Sequence, residues 1–102
     1  MNFGQAIKAL KEGKRVARAA WNDTTFVFMQ VPSEIKRDII PKMQSLPQSV
    51  KDEFERRFND PKEQIKSIYY VDQFALVNPS NLIIGWSPTV SDSLTTDWIV
   101  LD

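Results

Sequence analysis

Residues 25–31, TFVFMQV, form a nearly unbroken apolar and aromatic run that Pro32 ends. A short run of this composition is typical of a strand that is covered on both faces. Such a strand needs neighbours, so the remaining sequence is expected to supply further strands and helices around it.

A short helix and a first strand precede this run. Asn2 and Gln5 have the spacing of a capping box, and Gly13 suits the left-handed end of a helix. The apolar face of the predicted helix consists of Phe3, Ala6, Ile7 and Leu10. Residues 15–21 then predict a strand, with Val16, Arg18 and Ala20 on one face and Arg15, Ala17, Ala19 and Trp21 on the other.

Residues 33–66 differ in character, because prolines and charges of both signs dominate them. Ser33 is expected to cap a short helix carrying Ile35 and Ile39, and Pro41 is expected to end or kink this helix. Pro47 is expected to open a second helix, in which Val50, Phe54 and Phe58 recur every four residues. On the solvent-facing side of this helix, two i,i+4 ion pairs are expected, Asp52 with Arg56 and Glu53 with Arg57. The segment is interpreted as a helical insertion, either a solvated excursion or a functional lid.

Strand composition returns over residues 67–77, and residues 78–81 have the pattern of a type I turn leading into a return strand at residues 82–84. Thr89 and Asp92 are spaced as a capping pair for one short helix, and residues 98–101 predict the last strand. The prediction is an α+β fold: a compact antiparallel β-sheet with a short N-terminal helix and the helical insertion.

Composition bounds the function classes. The 102 residues predict a single domain over residues 1–102. Because the chain has no cysteine and no histidine, disulfides, the usual zinc sites and any His-based triad are excluded. The absence of an apolar run of membrane-spanning length and of a secretory leader predicts a cytoplasmic protein without membrane contact.

Formal net charge is zero, so tight binding to nucleic acid is not expected. The charges are uneven, however, since residues 1–20 are basic and residues 84–102 carry aspartates with no basic residue. If the two ends of the chain pack together, the basic residues 1–20 are expected either to pair with the acidic residues 84–102 or to face an anionic ligand.

Residues 85–98 combine two tryptophans with hydroxyl groups and two aspartates, a mixture that predicts a pocket wall. Asp92 and Asp97 are open to two interpretations, an acid/base pair or simple capping and turn residues. Aromatic rings beside short polar side chains also suit a purine-containing ligand, with Arg15 and Arg18 available to phosphates.

Two motifs resemble the Thoeris anti-defence 2-like family. The first is MNFGQAIKALKEGK at residues 1–14, followed by Val16-Ala17-Arg18 and Trp21-Asn22. The second is WSPTVSD at residues 86–92, followed by Asp97-Trp98. The motifs cover about a third of the chain and lie at the expected ends.

The resemblance implies a small phage or prophage protein that acts in the infected bacterial cell and is not an enzyme. Members bind the cyclic ADP-ribose-derived signal of Thoeris defence without cleaving it, and some relatives capture cyclic oligonucleotides. It further implies an antiparallel sheet with short helices, assembled as a homotetramer with ligand sites between protomers. We therefore expect a homo-oligomer, a dimer or a tetramer, and no cofactor or metal. Smaller members have a much shorter connection where this chain has residues 33–66.

The resemblance also implies roles for single residues. Trp21 and Trp86 are expected to stack on the base, whereas Trp98 is expected in the core. Arg18 is expected either to contact phosphate or to have a surface or sheet-edge role. Expected polar contacts come from Asn22, Ser91 and Asp92. Two alternatives stay open, a protein-interaction module acting through the insertion and a nucleotide-processing enzyme using Asp92 and Asp97.

Overall fold

The computed structural model describes residues 1–101. In chain order, the elements are α1 (Phe3–Lys11), β1 (Arg15–Arg18), β2 (Phe26–Gln30), β3 (Ser33–Lys36), a 3₁₀ turn (Ile40–Lys42), α2 (Gln48–Asn59), β4 (Ser67–Tyr70), β5 (Gln73–Val77), β6 (Ile83–Gly85), α3 (Val90–Leu94) and β7 (Trp98–Leu101). They form two compact units. The first comprises Met1–Val31 together with residues 72–101, and the second comprises Pro32–Val71.

The first unit is built on a five-stranded antiparallel sheet with the strand order β6-β5-β2-β1-β7. The apolar run of residues 25–31 supplies β2, which is the central strand of this sheet and has two strands on each side. Val27 of β2 is fully buried, whereas Phe26 and Phe28 on the opposite face are only half-buried, so the expected full coverage of both faces is met on one face alone. The α+β prediction is therefore confirmed.

The core of this unit lies between α1 and the sheet. Ala6 and Leu10 of α1 pack with Val16 of β1, Val27 of β2 and Trp98 of β7, and none of the five is more than 1% exposed. Burying a large apolar side chain completely contributes ~1.5–3 kcal/mol, so this cluster is the main stabilising element of the unit.

Both ends of α1 have the predicted caps. The Asn2 side chain accepts a hydrogen bond from Gln5 N at 2.8 Å, and the Gln5 side chain accepts one from Asn2 N at 2.9 Å. Gly13 has a φ of 85°, which glycine adopts without the steric cost that a side chain brings. The sequence therefore predicts correctly both the start and the end of α1.

The predicted hairpin joins β5 to β6. Asn81 N donates to Asn78 O at 3.0 Å, and Asn81 itself lies in the left-handed region with a φ of 63°. Asn tolerates this conformation better than most residues do, which explains its place in the turn. The paired strands place Ile84 opposite Leu76 and Ile83 opposite Val77.

The second unit contains a two-stranded antiparallel sheet, β3 with β4, and the helix α2. The helix predicted from Ser33 is wrong, because residues 33–36 form β3, in which Ile35 pairs with Ile68. Pro41 lies within the 3₁₀ turn rather than at the end of an α-helix. The four-residue spacing of Ile35 and Ile39 imitates a helical face, but backbone pairing with β4 decides the local structure.

The strand composition of residues 67–77 is confirmed, but the residues do not form one continuous strand. The segment is two strands, β4 in the small sheet and β5 in the large one. The predicted helix after Pro47 is confirmed as α2, with Phe58 buried and stacked at 6.3 Å on Phe54. Of its two predicted ion pairs, Glu53 with Arg57 is present at 2.9 Å.

Arg56 of α2 departs from the predicted pairing, because it bonds Glu53 rather than Asp52. The predicted insertion, residues 33–66, lies inside the second unit. That the chain folds as one cooperative domain stays a prediction. Among residues 1–101, no helix has the length and apolar character needed to cross a membrane.

Candidate ligand-binding site

Arg18 ends β1 and connects this strand to the C-terminal part of the chain. Its Nη1 donates to Asp92 Oδ1 at 2.9 Å and to Ser91 Oγ at 3.4 Å, and its Nε donates to Asp97 Oδ1 at 3.0 Å. The Arg18 side chain is only 16% exposed. The basic N-terminal segment was expected to pair with the acidic C-terminal segment. The structure shows this pairing as one cation, Arg18, between two carboxylates.

Asp92 is the only buried charged residue in the part of the chain that the structure describes, at 6% exposed. It belongs to the predicted capping box of α3, in which Thr89 N donates to Asp92 Oδ2 and Asp92 N donates to Thr89 Oγ1. Burial raises the pKa of Asp92, but the hydrogen bonds from Thr89 and Arg18 outweigh it and hold the pKa below its ordinary value. Asp92 is therefore ionised at neutral pH.

Asp97 joins the end of β1 to the start of β7. Its carboxylate accepts hydrogen bonds from Thr95 Oγ1 at 2.8 Å, Arg18 Nε at 3.0 Å and Ala20 N at 3.2 Å. Its backbone carbonyl accepts from Ala19 N at 2.8 Å. The bond from Thr95 is the main cause of the lowered pKa of Asp97, with Arg18 and Ala20 adding to it. These contacts fix the turn that presents Trp21.

The three tryptophans meet at Trp98, which is confirmed as a core residue at 1% exposed. Its ring lies edge-on to Trp21 at 5.5 Å and to Trp86 at 5.9 Å between centroids. Its indole Nε1 donates to Asp92 O at 2.8 Å. The aromatic cluster and the Arg18 cluster are therefore joined through Trp98 and Asp92.

An open cleft of about 380 Å³ lies along β1 and β7. It is lined by Arg15, Ala17, Arg18, Ala19, Trp21, Asp23, Thr24, Thr25, Ile99 and Leu101. Its volume is in the range of small-molecule sites, and it combines an apolar floor with a tryptophan and charged groups.

Four of the six residues expected to contact ligand lie outside the lining of this cleft. Asn22 is exposed in the turn after β1, and Ser91 is exposed at the start of α3, where it contacts Arg18. Asp92 is buried, and the half-buried Trp86 packs edge-on against Phe3, Phe74 and Trp98. The structure thus brings Arg18, Ser91 and Asp92 into one cluster, and Trp21 and Arg18 into the cleft.

The second unit has a cavity of its own. It measures about 230 Å³ and is lined by Phe54, Arg57, Phe58, Glu63, Ile65, Ser67, Ile68 and Tyr69. No group of three or more carboxylates with metal-binding geometry occurs within residues 1–101.

The family model of the Thoeris anti-defense 2-like domain matches residues 1–101. The chain belongs to this family. A comparison with curated proteins found no match. Family membership supports a role against Thoeris defence, and it agrees with the two motifs, which the fold brings together at Arg18, Asp92 and Asp97.

Two cleft residues of this Thoeris anti-defense 2-like protein were not singled out as site residues. The sequence analysis assigns no role to Asp23, and it gives Arg15 only as one of two possible phosphate contacts. The signal for Arg15 is the alternation along β1, which places it on the same face as Ala17. Asp23 carries no comparable signal, because the turn that brings it to the cleft has no regular period.

Proposed function

We propose that this Thoeris anti-defense 2-like protein binds a cyclic ADP-ribose-type or cyclic oligonucleotide immune signal, holds it without cleaving it, and thereby inhibits Thoeris-type anti-phage defence. The observation that carries this proposal is the cleft along β1, where Trp21 and two arginines line one cavity of about 380 Å³. An indole for a base and guanidinium groups for phosphates are the parts that a nucleotide ligand requires.

The lowered pKa values of Asp92 and Asp97 fit a protein that binds the signal without cleaving it. A general acid needs a carboxyl with a raised pKa, whereas the pKa of both Asp92 and Asp97 is lowered. Both carboxylates are also occupied by hydrogen bonds from the protein. These properties favour a structural role over acid/base chemistry, and the nucleotide-processing alternative gains no support from them.

The proposal includes a homo-oligomer, a dimer or a tetramer, in which protomers share a ligand site. Four of the expected contact residues lie near this shared site: Asn22, Trp86, Ser91 and Asp92. Asn22 and Ser91 are exposed. Exposed apolar side chains for a protomer contact are present as well, since Ile83 is 70% exposed and Leu94 is 77% exposed. Sedimentation at micromolar concentration tests this part, and a purely monomeric protein contradicts a site between protomers.

In this proposal the protein is a phage or prophage product that acts in the cytoplasm of an infected bacterium. A thermal-shift panel of cyclic nucleotides that includes glycocyclic ADP-ribose tests the binding. A ligand that binds only the folded state raises the melting temperature, by an amount that grows with its concentration. We expect such a rise for the wild type and its loss in Trp21→Ala.

Tyr69→Ala is the matched control, because it removes an aromatic ring that is 61% exposed in the second unit. This variant is expected to keep the ligand-induced rise. A panel in which no cyclic nucleotide raises the melting temperature contradicts the proposal.

A second candidate function is a protein-interaction module in the second unit, favoured by its cavity beside the exposed Ile65 and Tyr69. Gln30 at the end of β2 pairs with Gln73 at the start of β5, so a short turn can replace residues 32–71. If that variant still captures the signal but loses a protein partner, the second unit is the interaction module. If it loses the signal, the segment takes part in ligand binding.

A further inference from the structure

The two-stranded sheet of the second unit has one protected edge and one unprotected edge. β3 and β4 pair with each other, and within residues 1–101 no further strand joins their sheet. Exposed strand edges are usually blunted by charged side chains or by proline. β3 follows this rule, since it carries Glu34 and Lys36 and comes directly after Pro32. β4 has neither a charged residue nor a proline, so its free edge is able to pair with another strand.

The cavity of the second unit lies along this free edge. Three consecutive β4 residues line it, Ser67, Ile68 and Tyr69. Because successive side chains of a strand point to opposite faces, a space that all three reach borders the edge of the strand and not one face alone. β3 occupies the other edge of β4. Alternate residues of β4 direct their N–H and C=O groups away from β3, so the strand presents backbone donors and acceptors to this space.

α2 supplies another wall of the cavity, which makes the space a groove between a helix and a strand edge, here called the β4–α2 groove. Phe58 is buried in this wall and stacks on Phe54 at 6.3 Å between centroids. Ile65 also lines the groove and is 56% exposed. The volume of about 230 Å³ is below the ~300–1,000 Å³ usual for small-molecule sites, so the groove suits one large side chain better than a whole nucleotide.

The charged side chains at the β4–α2 groove are positive in sum. Arg57 lines the groove and shares the Glu53 carboxylate with Arg56. The ammonium of Lys66, next to β4, bonds a backbone carbonyl, and Glu63 lines the groove. These five side chains are three cations and two carboxylates, so an acidic partner is favoured over a basic one. A two-fold contact between two such grooves would bring like charges together, which disfavours a second copy of this chain as the occupant.

Building on the second candidate function, we infer that the β4–α2 groove binds an extended segment of another protein by strand addition. The segment pairs through its backbone with the free edge of β4 and inserts one large apolar side chain between β4 and α2. Acidic residues flank that side chain. In this mode of recognition, main-chain hydrogen bonds give affinity and the pocket for a side chain gives specificity.

A displayed library of random peptides of ~8 residues, long enough for one strand, tests this inference. Selection is run against the wild-type chain, and the enriched peptides are synthesised and titrated by calorimetry. The enriched sequences are expected to share one large apolar residue with acidic neighbours. Replacing that apolar residue by alanine is expected to weaken binding by ~10- to 100-fold, the effect of losing one buried large side chain. A selection that enriches no peptide overturns the inference.

Methylation of the peptide's backbone nitrogens separates strand addition from binding of a side chain alone. In a peptide added to β4, alternate N–H groups face the strand edge and the others face away from it. Methyl groups on the first set are expected to abolish binding, and methyl groups on the second set are expected to be tolerated. Equal effects of the two sets overturn strand addition.

Ile65→Glu tests the groove itself, because it places a carboxylate in the wall where the acidic peptide binds. Ile65 is exposed, so the variant is expected to fold, and its affinity for the peptide is expected to fall by ~10-fold or more through like-charge repulsion. Val90→Glu is the matched control, since Val90 is 77% exposed on α3 of the first unit, and it is expected to bind the peptide as the wild type does.

The competing occupant is tested with the same variant. If the wild type sediments as an oligomer that dissociates in Ile65→Glu but not in Val90→Glu, a second copy of the chain fills the groove and the inference is overturned.

These outcomes are separable from a failure of either proposed function. Enriched peptides that bind Ile65→Glu as tightly as the wild type, and shift NMR amide signals elsewhere within residues 32–71, overturn the groove but leave the second unit as an interaction module. Capture of glycocyclic ADP-ribose by the wild type is measured without any peptide, so the sequestration proposal is decided independently.

Discussion

Arg18 Nη1 lies 2.9 Å from Asp92 Oδ1, although the two residues are 74 positions apart in the chain. A second contact at 3.0 Å joins Arg18 Nε to Asp97 Oδ1, 79 positions away. One guanidinium therefore connects β1 to both α3 and the start of β7. The two motifs of the family are held together by these bonds.

Replacing Arg18 is expected to destabilise the fold. In Arg18→Gln, the buried carboxylate of Asp92 loses its cation, and we expect the melting temperature to fall by ~5 °C or more. Lys14→Gln is the control, because the ion pair of Lys14 with Glu12 joins two side chains that are about half exposed to solvent. Thermal unfolding followed by circular dichroism measures both. Equal shifts in the two variants would contradict a structural role for Arg18.

Stability is expected to fall in acid. The folded-state pKa of Asp92 and of Asp97 is lowered, so these groups contribute stability above the unfolded value of ~3.9 and lose it as the pH falls through the folded pKa. The melting temperature should be nearly constant from pH 7 to ~5 and should decrease below pH ~4.

The pH dependence must be corrected for the contribution of Glu53, and it needs a control variant that lacks the two aspartates. Hydrogen bonds from Arg56 and Arg57 lower the pKa of the partly exposed Glu53 to about 2, so Glu53→Gln serves as the background for every variant. In that background, the Asp92→Asn, Asp97→Asn double variant is expected to show a smaller acid decrease than its parent. Parallel decreases would mean that other groups cause the pH dependence.

The α3 capping box offers a milder test. Thr89→Ala removes the acceptor for Asp92 N and is expected to cost ~1 kcal/mol of unfolding free energy. Thr96→Ala changes an exposed threonine in the segment before β7 and is expected to be nearly neutral. Urea denaturation gives both values, and a Thr89→Ala protein as stable as Thr96→Ala would show that the cap contributes little.

Both units are expected to unfold in a single transition. The second unit has a small sheet, a single α-helix and no cysteine, and chains of ~40 residues without disulfides or metals are rarely stable alone. Calorimetry checks this by comparing the van't Hoff and calorimetric enthalpies, which agree for one transition. Two resolved transitions would contradict the prediction of one cooperative domain.

Local signals in the sequence predicted local structure well. The capping pairs Asn2–Gln5 and Thr89–Asp92, the left-handed Gly13 and the turn at Asn78–Asn81 all depend on neighbours within four residues. Such patterns are set by backbone geometry and are little changed by tertiary contacts.

Long-range pairing was the part that the sequence did not reveal. Ile35 and Ile39 have helical spacing, yet β3 forms because Ile35 pairs with Ile68 far along the chain. In the same way, the commitment of Arg18 to Asp92 and Asp97 depends on how the termini meet, which no local pattern encodes.

Capture and release of glycocyclic ADP-ribose tests sequestration most directly. The protein is incubated with this molecule, separated from free ligand, heated to unfold it, and the released material is analysed by mass spectrometry. Intact glycocyclic ADP-ribose in amounts that match the protein is the expected result. Recovery of a cleaved product, or of no ligand, would contradict it.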